Sequence, residues 1–148
     1  MAKTKSAPAK RTTAATSAGY SGTPLPKKLE IKSNTRVATV GAPPEFSEVL
    51  GELPAGAKLQ RGLLGPRDLT IWFITSRQQL EGDFSRVAPL KGEGSLWIAW
   101  PKKASGRKTD LTEDVLREVI LPHGLVDRKV CAIDDTWSGL LFSWRKSS

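Results

Sequence analysis

From residue 23 onwards the chain switches repeatedly between short, dense apolar runs and stretches whose apolar residues recur every three or four positions. The densest run, Asp68-Leu-Thr-Ile-Trp-Phe-Ile-Thr75, is rich in β-branched and aromatic residues and predicts a strand. Ser95-Leu-Trp-Ile-Ala-Trp100 predicts another, apolar enough to be covered on both faces. Arg36-Val-Ala-Thr-Val40 reads as a buried strand closed by Gly41-Ala-Pro-Pro44, and Lys58–Leu64 as a more exposed one. Between them lie helical patterns. Thr23 and Pro24 open a short helix that carries Leu25 and Leu29, and Pro44–Leu50 forms a second with Phe46, Val49 and Leu50 on one side. Ser76 caps a third, in which Leu80, Phe84, Val87 and Leu90 recur, with Gly82 as a point of weakness. Asp110, as N-cap, and Glu113 resemble a capping box at the start of a fourth helix, which ends at Pro122-His-Gly124. The strands Val126–Ile133 and Leu140–Trp144 flank Asp134-Asp-Thr-Trp-Ser-Gly139, a connection too short for a crossover helix, so they pair antiparallel.

The resulting order, β-α-β-β-α-β-α-β-β, predicts an α/β fold. It is a compact three-layer, Rossmann-like, mostly parallel sheet of five or six strands with a C-terminal antiparallel strand pair. Residues 23–148 form a single domain on this reading. Residues 1–22 consist mainly of Ala, Lys, Thr, Ser, Pro and Gly without apolar periodicity, and read as a disordered basic tail. Pro8 and scattered lysines argue against an amphipathic transit helix, and there is no apolar core for a secretory signal. The apolar runs fall short of the roughly 18 residues of a membrane span, so no membrane association is expected.

Charge changes the picture less than its size suggests. The net charge is +8, but Lys3, Lys5, Lys10 and Arg11 sit in an acid-free tail. Such a tail attracts polyanions without the folded domain reading them, so any nucleic-acid association through it is expected to be non-specific. One cysteine, Cys131, excludes an intramolecular disulfide and suits a reducing cytoplasm; its apolar surroundings make it a core residue. With one histidine, His123, at a helix terminus and no clustered ligands, no metal site is expected.

The candidate chemistry lies where the strand ending at Trp100 runs into the fourth helix. Lys102, Lys103, Arg107 and Lys108 surround Ser105-Gly106 there, and helix amides follow. They either clamp a phosphate or carboxylate, or form a solvated loop. Ser76, Arg77 and the Gly41 turn border the crevice expected where the strand order reverses, although Ser76 as a helix cap is the simpler reading. Asp134 and Asp135 form a turn with Thr136, Trp137 and Ser138; their side chains either stabilise that turn or ion-pair with the 102–108 lysines. Trp72 and Trp97 read as core, while Trp100, Trp137 and Trp144 read as core or rim, with partial exposure an alternative. The ligand-binding set is therefore Lys102, Lys103, Ser76, Arg77, Gly41 and Asp134, with no catalytic residue among them.

The element pattern and its terminal antiparallel pair resemble a shortened S-adenosylmethionine-dependent methyltransferase fold, and Leu90-Lys-Gly-Glu-Gly-Ser-Leu-Trp-Ile98 resembles the entry to that fold's fifth strand. The resemblance implies a cofactor loop that is Gly-rich after the first strand; this chain has Gly41-Ala-Pro-Pro44, and prolines remove amide donors. An acid that would hold a ribose is replaced by Gln60 and Arg61 at the second strand. No cofactor is therefore expected. At closer range, Gly19-Tyr-Ser-Gly-Thr-Pro-Leu-Pro-Lys-Lys-Leu29, Trp100-Pro-Lys-Lys-Ala-Ser-Gly106, Thr109-Asp-Leu-Thr-Glu-Asp114 and Gly124 to Leu140 resemble a small bacterial family known only as a domain of unknown function. That resemblance implies a bacterial origin and carries no activity. The expectation is a non-catalytic protein binding an anionic ligand or a macromolecular partner at the C-terminal strand ends. A transferase of methyltransferase-like ancestry is the alternative, and whether it is an enzyme stays open.

Overall fold

In the computed structural model, which describes residues 23–89 and 94–146, the apolar runs become six strands of one sheet. These are β1 (Arg36–Val40), β2 (Lys58–Arg61), β3 (Leu69–Phe73), β4 (Ser95–Pro101), β5 (Leu125–Ala132) and β6 (Trp137–Trp144). Their spatial order is β2-β1-β3-β4-β6-β5. The first four run parallel, and β6 runs antiparallel to both β4 and β5. The α/β class, the mostly parallel sheet and the antiparallel C-terminal pair are thus as predicted. The last strand of the chain, β6, inserts beside β4 and leaves β5 at the edge.

Alternation along the strands assigns the two faces. Ile71 and Phe73 on β3, with Trp97 and Ala99 on β4, pack against α1 (Leu25–Lys28) and α2 (Phe46–Leu50). Trp72 on β3, and Leu96, Ile98 and Trp100 on β4, face the other way, towards α3 (Arg77–Val87) and α4 (Glu113–Ile120). Leu80, Phe84 and Val87 of α3, and Leu116 and Ile120 of α4, supply the spacing that buries one stripe of each helix there. Trp97 is the deepest tie on the α1 side. It is fully buried, and its indole N–H donates to the Leu29 carbonyl at 2.9 Å.

Several local expectations shift. Gly82 does not interrupt α3, which runs unbroken for 11 residues, and nothing stands within 4 Å of where its side chain would be. The fourth helix begins at Glu113 with Thr112 as its cap, accepting from the Val115 amide, so the Asp110–Glu113 capping box does not form. Trp137 belongs to β6 rather than to the turn, and both it and Trp100 are buried. Leu90, the Leu90–Glu93 part of the strand-entry run, and the 1–22 tail lie outside the described residues. Cys131 is buried, and burial pushes its thiol up from the ordinary value. No described helix is long and apolar enough to cross a membrane.

At the N-terminal end of the sheet, Asp68 clasps β1. It accepts from the Arg36 guanidinium through both oxygens, at 2.8 and 2.9 Å, and from the Arg36 amide at 2.8 Å. The guanidinium hydrogen bonds hold the Asp68 carboxyl down at about 2, below its ordinary value of 3.8. Because the folded-state pKa is depressed, the clasp stabilises the fold above about pH 4, and that contribution is lost as pH falls towards 2. With the carboxylate side chain 42% exposed, solvent screening limits it to about 1 kcal/mol. Asp68→Asn is therefore expected to be slightly less stable than the parent at pH 7 and equal to it near pH 2. Urea titrations at the two pH values check this, and a gap that persists at pH 2 would contradict it.

Candidate functional site

The C-terminal ends of the parallel strands carry two distinct places. One is the switch point between β1 and β3, where the strand order reverses and ligands of open α/β sheets commonly bind. Here the two strands approach closely. Gly41 has φ +72°, and a side-chain carbon added to it would lie 2.7 Å from the Phe73 carbonyl oxygen. Beside it, Phe46 meets Phe73 edge-on with ring centres 5.0 Å apart, and Phe73 meets Trp137 at 5.1 Å. Gly41 thus serves a close backbone approach.

Ser76 and Arg77 lie next to this point and are engaged by the fold. Ser76 caps α3 by accepting from the Gln79 amide at 3.1 Å. The Arg77 amide donates to Asp110 at 2.8 Å, and its guanidinium donates to Glu81 and Glu118, each at 2.8 Å. Those two carboxylates raise the Arg77 pKa above its ordinary value. Arg77 therefore braces α3 to α4. Thr109 adds to the brace, donating to the Thr75 carbonyl at 2.6 Å. Asp110 thereby becomes the acceptor for Arg77 and not a cap of its own helix.

The second place is the loop between β4 and α4. It leaves the sheet at Lys102, whose amide donates to the Thr136 carbonyl at 2.7 Å, and forms one tight turn over Lys103–Ser105. The Ser105 hydroxyl donates to the Lys102 carbonyl and accepts from the Arg107 amide, while Gly106 takes the left-handed conformation that reverses the chain. The Arg107 guanidinium then lies over the Trp137 ring, 5.6 Å from its centre. Opposite, Asp134 accepts from the Thr136 and Trp137 amides, both at 2.8 Å, and so shapes the turn into β6. None of the ion pairs joins Lys102, Lys103, Arg107 or Lys108 to Asp134 or Asp135. Of the two readings, stabilisation of the turn holds for Asp134, and the pairing with the lysines does not form among the described residues. A backbone hydrogen bond and a cation resting on an indole replace it.

Beside this loop lies a groove of about 550 Å³ whose lining includes Trp100, Lys103, Arg107, Leu111, Glu113 and Asp114. Of the residues singled out in the sequence as a ligand site, Lys103 lines it; Lys102, Ser76, Arg77, Gly41 and Asp134 do not. Near the start of α4, Leu111 N–H donates to the Thr109 hydroxyl and Val115 N–H to the Thr112 hydroxyl. Glu113 and Asp114, which also line the groove, escaped the sequence reading, which gave Glu113 to a capping box and assigned Asp114 no role. Among the described residues no group of His, Cys, Asp or Glu has a metal-binding arrangement. His123 instead stacks on Phe84, ring centres 4.3 Å apart.

A methyltransferase-like, Rossmann-like scaffold is the class that this architecture defines. The chain is similar to a S-adenosylmethionine-dependent methyltransferase from Aquifex aeolicus, at 14% identity and a TM-score of 0.51, over 78% of this chain and 85% of that one. It is also similar to a putative type 11 methyltransferase from Sulfolobus solfataricus, at 14% identity and a TM-score of 0.51, over 83% and 90%. A protein of the NADB-Rossmann superfamily from Streptococcus agalactiae matches at 10% identity and a TM-score of 0.51, over 84% and 68%. At such identities the likeness is one of fold. No protein-family model matches the chain, and no curated protein matches it.

Proposed function

We propose that this chain is a non-catalytic binding protein built on a methyltransferase-like scaffold, taking an anionic ligand at the β4–α4 loop. The observation that carries the reading is a contrast in pairing. Arg36, Arg77, Arg117 and Arg128 each hold carboxylates in ion pairs. Lys102, Lys103, Arg107 and Lys108, gathered within seven residues of chain, hold none among the described residues. Two of them line a groove whose base includes the indole of Trp100. Cations placed together without counter-charges repel one another, and a bound phosphate or carboxylate relieves that repulsion.

Isothermal titration of the full chain with inorganic phosphate and a nucleoside monophosphate panel tests the reading. Binding is expected, and a Lys103→Ala/Arg107→Ala variant should weaken it by about tenfold or more, the loss of two charge-assisted contacts. Binding unchanged in that variant, or no binding at all, contradicts the proposal. The shared fold also supports descent from a transferase, and that reading has its own test. Thermal stabilisation by S-adenosylmethionine would favour it, and no shift would count against it.

A further inference from the structure

The lining of the groove beside the β4–α4 loop carries charges of both signs, here called its basic and its acidic wall. Lys103 and Arg107 form one, without carboxylate partners, and Lys102 and Lys108 flank them in the chain. Glu113 and Asp114, on the first turn of α4, form the other. That acidic wall is not neutralised from behind. Arg117 pairs with Glu113 at 3.0 Å and with Asp114 at 3.4 Å, but it also pairs with Asp127 at 3.0 Å. Three carboxylates thus share one guanidinium, leaving two negative charges in surplus. The Asp114 side chain is 96% exposed, so it is fully available to a ligand.

The threonine hydroxyls of the groove are committed elsewhere. The Thr109 hydroxyl donates to Thr75 and accepts from Leu111, and the Thr112 hydroxyl accepts from Val115. Among the side chains, charged recognition falls to Lys103, Arg107, Glu113 and Asp114, and Trp100 and Leu111 add apolar lining. A simple anion drawn to Lys103 and Arg107 shares the groove with the surplus carboxylates, which oppose it. A simple cation meets the reverse penalty. A molecule carrying both charges satisfies both walls.

We propose that the groove takes a small zwitterion, its phosphate or carboxylate against Lys103 and Arg107 and its ammonium against Glu113 and Asp114. This rests on the anion-site reading above and adds to it the ligand's second charge. Its test is a comparison of matched probes on the full chain by isothermal titration at constant ionic strength: O-phosphoethanolamine against ethyl phosphate, and γ-aminobutyrate against butyrate. The phosphate pair and the carboxylate pair together distinguish the two kinds of anionic group. Two exposed ammonium–carboxylate contacts predict that the amine-bearing member of at least one pair binds about fivefold tighter. A Glu113→Gln/Asp114→Asn variant, which keeps the Thr112 cap and the Arg117–Asp127 pair, should lose that preference. The proposal is overturned by equal affinity within both pairs, or by a preference that survives in the variant. In either case the anion site itself stands, because the amine-free probes still bind. Absence of binding by all four probes overturns both the zwitterion and the anion site.

Discussion

Trp97→Ala is expected to lose about 4–6 kcal/mol of stability and to lower Tm by about 10–20 °C. The ring is fully buried in the middle of β4, between β3 and β6. Truncating a buried aromatic costs about 3–5 kcal/mol through lost transfer energy and the cavity left behind. A further ~1 kcal/mol comes from the Leu29 carbonyl, which loses its only indole donor inside the core. Gly139 shows how tightly the ring is seated, because a side-chain carbon there would come within 3.1 Å of it. Trp97→Phe separates the two contributions, since it keeps most of the ring and removes the N–H. Its loss should fall well below that of alanine. Thermal and urea unfolding of both variants give the comparison, and a Tm drop under about 5 °C for Trp97→Ala would show that α1 is not anchored through this side chain.

Gly41→Ala is expected to cost about 2–5 kcal/mol, more than a left-handed glycine normally carries. A positive φ costs an L-residue about 1–2 kcal/mol by itself, and overpacking against backbone adds about 1–3. Gly106 provides the internal control. Its φ is +79°, close to the +72° of Gly41, yet nothing lies within 4 Å of its missing side chain. Gly106→Ala should therefore show the conformational cost alone. The difference between the two variants measures how firmly β1 and β3 are closed at the point where the strand order reverses. Equal losses would mean that this crevice has room to open, and would restore it as a place for a ligand.

Much of the fold was legible from the chain because its signals are local. Leu69–Phe73 and Ser95–Pro101 are dense enough in apolar residues to be strands in any context, and the short link between β5 and β6 left them no arrangement except antiparallel. Ser76 acted as the cap that its position announced. What escaped depends on partners distant in sequence. Asp110 looked like a helix cap until Arg77, 33 residues earlier, claimed its carboxylate. The same is true of Arg77, whose guanidinium reads as a free cation until Glu81 and Glu118 are brought beside it. In the candidate site, the basic loop could be read directly, but its acidic facing wall could not. Glu113 and Asp114 have an adequate local explanation at the helix start, and only the three-dimensional crowding of Arg117 reveals their surplus charge.

The proposed ligand site is the β4–α4 loop rather than the switch-point crevice. Backbone amide chemical-shift mapping of the full chain during titration with inorganic phosphate tests it most directly. The account predicts that the largest shifts fall on Lys103, Arg107 and the neighbouring amides through Asp114, with Gly41 and Ser76 unmoved. Shifts concentrated at Gly41, Ser76 and Arg77, with the 103–114 segment silent, would contradict it.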